Sequence, residues 1–345
     1  MKVTSASVDF PAALATVREG GFLDADTSAR VFETIITGQV AETDLIAFLT
    51  AQARRGPTVP EIVGAVRSMR AAMRSVTAAP GAIDLCGTGG DGLGTLNIST
   101  AVSFVVAGAG VAVAKHGNRS ASSKSGAADI LEALKVKIDL EPSRASEVLA
   151  ETGLVFLFAQ VHHPAMRHVG KARAAIKQRT IFNLLGPLAS PARVKHQLVG
   201  IYSKDWLVPY AEALKALGCT RALVVHGADG LDELTTTDVT YYASLEHGVI
   251  TTGTIAPEDA GLKRGMLAEL KGGTPVENAA RLIALFDGEQ GAYRDVVLLN
   301  AGAALMVAGV AKDIKDGVAK AARSLDSGAA KAKLEALITA SNNPK

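Results

Sequence analysis

The sequence predicts an α/β protein: a small helical N-terminal domain, then a large domain around a central, mostly parallel sheet. Three observations lead there. Apolar residues recur at helical spacing through the first ~75 residues. From residue 80, short apolar runs alternate with helical stretches. No apolar run is long enough for a membrane span, since Ala101–Ala114 covers only 14 residues where a bilayer helix needs ~20. A length of 345 residues suits about two domains. The boundaries expected are 1–75 for the helical domain, with a helical return near 164–190, and 78–163 plus 195–345 for the α/β domain.

The elements follow in order. Asp26 is placed to cap a helix carrying Val31, Phe32, Ile35 and Ile36, which stops at Gly38. Thr43 is placed to cap a second, with Leu45, Phe48, Leu49 and Ala53, which stops at Gly56. Thr58 and Glu61 form a capping box, with Pro60 in the first turn, ahead of Ile62, Val66, Met69 and Met73. The strands expected next are Ala82–Cys86, Val111–Ala114, Leu154–Ala159, Leu198–Tyr202 and Ala222–Val225. Between them lie helices at Ile98–Ala107, Ala128–Leu134, Ser143–Glu151 and Asp205–Leu217, the last with Ser203 as its cap. Val239–Ile255 reads as a hairpin. The chain then returns to helix from about Glu277, at Ala292–Ala308, Asp313–Ser324 and Ala329–Ala340.

Composition narrows the function. With 36 Lys+Arg against 34 Asp+Glu the net charge is +2, which gives no global reason to expect nucleic acid. The opening decapeptide lacks an apolar secretory core. Cys86 and Cys219 form no CxxC and read as buried thiols of a reducing compartment, which points to the cytoplasm. Charge is uneven, however. Between Glu151 and Asp205 there is no acid, yet there are Arg167, Lys171, Arg173, Lys177, Arg179, Arg193, Lys195 and Lys204. Such a stretch suggests an anionic ligand, or else a solvated face balanced by acids elsewhere.

Glycine is concentrated as well. Five of the 34 lie between Gly87 and Gly94, after a predicted strand and before a predicted helix. Glycines let backbone N–H groups wrap an anion, and a helix N-terminus favours one. Thr88, Thr95, Asn97, Ser99 and Thr100 add more polar capacity than a bare turn needs. Gly87–Gly92 matches G-x-G-x-x-G, but Lys115 stands where a dinucleotide fold needs an acid, and Leu93 replaces the Walker lysine. The second predicted strand runs into another polar loop, Lys115 to Gly126. Two such loops at one carboxyl edge of a parallel sheet suit a ligand with more than one phosphate.

The segments GTGGDG, NIST, KHGNR followed by Ser122-Ser123, RTIFNLLGPL and a late Asp-Glu pair resemble the anthranilate phosphoribosyltransferases of tryptophan biosynthesis, over nearly the whole chain. That resemblance implies a nucleoside-phosphorylase-like fold and Mg²⁺-dependent transfer of phosphoribose from phosphoribosyl pyrophosphate (PRPP) to anthranilate. It implies PRPP contacts at Gly87, Gly90, Asp91, Thr95, Asn97, Ser99 and Thr100 in the first loop. In the second it implies Lys115, His116, Gly117, Asn118, Arg119, Ser120, Ala121, Ser122 and Ser123. Ala127 stands where relatives often carry Ser, which puts one PRPP hydrogen bond in doubt. Anthranilate is implied at Gly87, Asn118 and Arg173, and Mg²⁺ at Ser99, Asp232 and Glu233. A homodimer through the N-terminal helices is also implied, with no nucleic acid or membrane partner.

Some of these residues stand without the resemblance. Arg173 falls on an apolar stripe with Met166, Val169 and Ile176, in a helix opened by Pro164. An inward Arg needs an anion, either a substrate carboxylate or an internal acid, and the residues alone leave the two even. Asp232 and Glu233 follow a predicted strand, where adjacent carboxylates suit a hard cation. His162, His163 and His168 lack zinc spacing, and His116 either borders the aromatic substrate or packs. No catalytic acid, base or nucleophile is evident. Positioning and electrostatics are expected to do the work, with Lys115 in support. Two rivals are a pyrimidine nucleoside phosphorylase and a non-catalytic relative that binds nucleic acid.

Overall fold

A computed structural model describes residues 9–120 and 124–343. The chain opens with α1 (Phe10–Arg18), α2 (Ala25–Ile36), α3 (Glu42–Arg55) and α4 (Val59–Ala72). Their stripes close on one another through Val31, Phe32, Phe48, Leu49 and Ile62, all fully buried. The box at α4 forms as the sequence predicts, with Glu61 reaching back to Thr58. Two caps differ. Asp24, not Asp26, caps α2, its Oδ1 accepting from Thr27 N at 2.7 Å. Ala41, not Thr43, precedes α3, which begins at Glu42 with no side-chain cap. In both cases the helix gains backbone bonds by starting earlier than the polar residue nearest its apolar stripe.

The large domain carries β1 (Ile83–Gly87), α5 (Ile98–Gly108), β2 (Val113–Gly117), α6 (Ala127–Ala133), α7 (Pro142–Thr152) and β3 (Leu154–Phe158). Then come α8 (Ala159–His162), α9 (Gly170–Ala175), α10 (Phe182–Leu188), β4 (His196–Gly200), α11 (Leu207–Ala216) and β5 (Arg221–Gly227). The hairpin is β6 (Thr240–Glu246) and β7 (Val249–Ile255), followed by α12 (Pro275–Phe286), α13 (Ala292–Val307), α14 (Ile314–Asp326) and α15 (Ala329–Asn342). The sheet order is β3-β2-β1-β4-β5-β6-β7. The first five strands are parallel and the hairpin antiparallel.

Strand alternation divides the interior in two. Leu198, Leu223 and Val225 face one core with α5, α7 and α12 to α15, whereas Val199, Val224 and Ala243 face the other with α1 to α4, α9, α10 and α11. Segment 164–190 therefore shares a core with the N-terminal helices, through Val169, Ala172, Phe182 and Leu185. Among the described residues, no helix is long and apolar enough to cross a membrane. The two cysteines are free, and both are half-buried rather than buried as expected.

β2 departs most from expectation. It ends at Gly117, so Lys115 and His116 lie in the strand and not in a loop. The apolar run stops at Ala114, but the strand continues because the polar side chains that follow find partners inside.

Candidate functional site

Gly89, Gly90, Gly92 and Gly94 all adopt left-handed φ, from 62° to 85°, which only glycine takes up without strain. Their loop leaves β1 at the carboxyl edge and is tied at both ends. Thr88 N donates to Gly200 O at 2.9 Å, and Gly272 N donates to Gly94 O at 2.9 Å. Lys271 Nζ bonds Leu93 O at 3.0 Å, and Thr95 bridges Lys271. The loop ends at the N-terminus of α5, where unpaired N–H groups and the helix dipole favour an anion.

The seam between β1 and β2 holds the charged centre. The two strands register only at Ile83↔Val113. Beyond that, side chains take over the pairing. Asp84, fully buried, accepts from His116 N at 2.9 Å. Lys115, 3% exposed, donates from Nζ to Leu85 O and to Ser99 Oγ at 3.1 Å. One of its three N–H groups remains for a ligand. Burial pushes Asp84 up to about 6, against its bonds from His116 and the Lys115 charge. Ser99 lies beside Glu233. Burial pushes Glu233 up to about 7, while Lys115 and Ser99 act to lower it.

Asp232 accepts from Gly89 N at 2.7 Å. Burial, Glu233 and Asp91 together hold its carboxyl well above the usual range. Three carboxylates thus crowd the end of β1. The approach is close: a Cβ on Gly87 would lie 2.7 Å from Asp232 Oδ2, and one on Gly200 1.5 Å from Asp232 O. Among the described residues no group of three or more His, Cys, Asp or Glu is preformed to hold a metal. A pair of carboxylates with a hydroxyl nevertheless fits Mg²⁺, which usually keeps waters and takes phosphate oxygens.

The second loop differs in detail from expectation. Asn118 and Arg119 are exposed, but Arg119 turns onto α6, bonding Asp129 at 3.0 Å and Glu132 at 2.8 Å. Its guanidinium is shared between two acids, with Nε and one Nη2 N–H left over. Asp129 also accepts from Ser120 N at 3.2 Å and Gly126 N at 2.8 Å, which folds the loop back on itself. Gly117 has no room for a Cβ, 2.7 Å from the Phe156 ring. Ala127, half-buried, opens α6. Ala121, Ser122 and Ser123 lie outside the described residues.

Several expected ligands have other work. Asn97 joins the loops, donating to Ser125 O at 3.1 Å and accepting from Asn278 at 2.9 Å. Thr100 is 1% exposed and its hydroxyl is buried without a partner, so its side chain does not open to the loop. His116 packs its ring 5.2 Å from His163. Burial, then His163 and His162, holds His116 well below its ordinary pKa, so it is a neutral core residue.

Arg173 is exposed, not inward, because Pro164–His168 forms a 3-10 turn and α9 restarts at Gly170. It lies 5.4 Å over the Phe182 ring. The acid-free stretch keeps its character in space: among the described residues, none of its eight cations forms an ion pair within the chain. An internal acid for Arg173 is thereby removed.

Sequence reasoning missed Arg179, which stacks 4.1 Å over Tyr202 and bonds Gly90 O. Its signal was its place in the RTIFN motif. It also missed Asp84, an acid inside an apolar strand, and Asp129, whose spacing from Gly126 is that of a capping box.

Residues 79–331 match the sequence family described as glycosyl transferase family, a/b domain, and residues 11–73 match its helical bundle domain. An anthranilate phosphoribosyltransferase from Xanthobacter autotrophicus is 54% identical over 333 residues, 96% of this chain and 97% of that protein. Another, from Azorhizobium caulinodans, is 55% identical over 94% of each chain. The crystal structure of the Thermus thermophilus enzyme superposes with a TM-score of 0.91 at 43% identity, covering 96% of this chain and 99% of that one. The Saccharomyces cerevisiae enzyme in complex with PRPP and Mg superposes at 0.88 with 26% identity, covering 97% and 98%.

Proposed function

The chain belongs to the anthranilate phosphoribosyltransferase family, and from that premise we propose how its residues perform the family's reaction. It transfers phosphoribose from PRPP to anthranilate. The bond from the ribose carbon to pyrophosphate oxygen breaks, the bond to the aryl nitrogen forms, and the amine proton passes to water. Full-length similarity to the transferases favours neither the nucleoside phosphorylase nor the nucleic-acid-binding alternative.

In this reading the glycine loop and the start of α5 bind PRPP through backbone N–H groups, with the remaining N–H of Lys115 beside them. Asp91, Asp232, Glu233 and Ser99 make the metal pocket, and Arg119 and Asn97 shape the loops. Mg²⁺, when bound, neutralises pyrophosphate charge. Arg173 grips the anthranilate carboxylate in a planar fork, and Asn118 and Gly87 border that substrate. The amine is neutral at pH 7, so orientation and charge stabilisation suffice. One observation carries the assignment: at one sheet edge the glycine loop bonds Asp232 within a crowd of carboxylates, while buried Lys115 reaches Ser99 at the start of α5.

Replacing Arg173 with Ala tests it. The anthranilate KM should rise at least ~30-fold, about 2 kcal/mol as for a lost charged hydrogen bond, with the PRPP KM little changed. Equal effects on both would sink the assignment. A homodimer through the N-terminal helices, the absence of nucleic-acid binding, a cytoplasmic home for the two free thiols and the domain boundaries 1–75, with its helical return near 164–190, and 78–163 plus 195–345 belong to the same proposal. Sedimentation with and without DNA tests the first two.

A further inference from the structure

We propose that Asn300, with Asp229, is a positioning device for the acidic pair: the two clamp the ends of the 231–235 segment and so set where Asp232 and Glu233 hold their carboxylates. The inference rests on the metal-binding reading of that pair.

Asn300 lies inside α13, a helix buried along most of its length, and is itself 0% exposed. An amide in such a place is costly unless its polar groups are met. Its Oδ1 accepts from Leu234 N at 2.9 Å, and its Nδ2 donates to Leu234 O and Val296 O, each at 2.8 Å. One side chain takes both backbone groups of one residue, as a neighbouring strand would. That residue follows Glu233 directly and is fully buried.

Asp229 ties the two ends of the segment together. Its Oδ1 accepts from Leu231 N at 3.1 Å, and its Oδ2 accepts from Thr235 Oγ1 at 2.7 Å and from the Thr237 hydroxyl. Thr235 N in turn donates to Thr240 Oγ1 at 3.0 Å, at the start of β6. Between the clamps the chain has no slack, since Asp232 O already occupies the space a Cβ on Gly200 would need. A loop between β5 and β6 is thus tied to α13, to β6 and to the end of β4, with both carboxylates at its centre. An apolar side chain in place of Asn300 would leave Leu234 N and O unpaired.

A purely structural role and a positioning role differ in what they move. The test uses the full chain with Mn²⁺ as a paramagnetic probe, bound in the presence of pyrophosphate and read by EPR, beside the Mg²⁺ dependence of turnover. Asn300→Ala, checked as folded by its unfolding transition, should weaken Mn²⁺ about 10-fold or more, in the range seen when supports behind metal ligands are removed. Its anthranilate KM should stay within about 2-fold. A folded Asn300→Ala with unchanged Mn²⁺ affinity overturns the proposal. So does one whose metal and anthranilate constants move together. If that variant does not fold, Thr237→Val decides by the same two readouts, since it loosens only the Asp229 clamp. Asp232→Asn separates the premise: unchanged Mn²⁺ affinity there overturns the metal reading, whereas a loss there without a loss in the clamp variants overturns the clamp alone.

Discussion

Replacing Gly200 with Ala isolates the role of the 231–235 segment, because Gly200 sits at the end of β4 and is assigned no contact with substrate. Its backbone is not left-handed, so alanine brings no conformational strain of its own. The cost is steric. The new methyl would stand 1.5 Å from Asp232 O and 2.5 Å from its carbonyl carbon. Non-bonded heavy atoms rest near ~3.5 Å, so the loop must retreat by about 2 Å. β4 lies mid-sheet, paired along its length to β1 and β5, so the loop yields before the strand does. Overpacking of this kind costs about 1–3 kcal/mol of stability, which a domain with this much buried core survives. A misplacement of ~1 Å can cost about 100-fold in rate, so kcat/KM for PRPP should fall at least that far. The assay is steady-state kinetics with each substrate varied at several Mg²⁺ concentrations, beside thermal unfolding. A folded Gly200→Ala enzyme within about 3-fold of the parent in kcat/KM for PRPP would refute the reasoning that the acidic pair works only where this packing puts it.

Other outcomes follow from the same structure. Asp84 has a folded pKa of about 6 against an ordinary 3.8. The folded chain holds that proton more tightly, so the stability it contributes is complete below the unfolded pKa and is lost as pH rises through about 6. That is about 3 kcal/mol. Asp84→Asn keeps the acceptor for His116 N, and its denaturation free energy should lack this fall between pH 4 and 6.5. Curves parallel to the parent's would contradict it. Glu61, fully buried, accepts from Leu23 N at 3.1 Å, from Thr58 N at 2.9 Å and from Arg55. Glu61→Ala strands the mostly buried Arg55 and should cost about 3–5 kcal/mol. A loss under 1 kcal/mol in urea unfolding would show that water reaches the pair.

Much of the fold was legible because it rests on local patterns. The α4 capping box, the five parallel strands and the closing helices follow from cap chemistry and apolar periodicity within a few residues of each other. The failures have one physical source, which is that partners come from far along the chain. β2 was expected to end at Ala114 because Lys115 and His116 are polar. Their acceptors, Leu85 O, Ser99 Oγ and Asp84, lie 16 to 32 residues away. Arg119 likewise has its acids, Asp129 and Glu132, on α6, where no local pattern announces them. Arg173 was placed inward by a helical stripe that the 3-10 turn at Pro164–His168 interrupts. Asn300 gave one sign of itself, a lone amide in an apolar helix. Nothing local says that its partner is Leu234, 66 residues earlier.

The central claim, that this chain joins anthranilate to phosphoribose at the edge of β1 and β2, is tested most directly by anthranilate fluorescence. Purified protein with anthranilate, PRPP and Mg²⁺ should quench that fluorescence catalytically, and omission of PRPP or chelation of Mg²⁺ should stop it. Unchanged fluorescence in the complete mixture, with release of free base from a pyrimidine nucleoside and phosphate, would contradict the account.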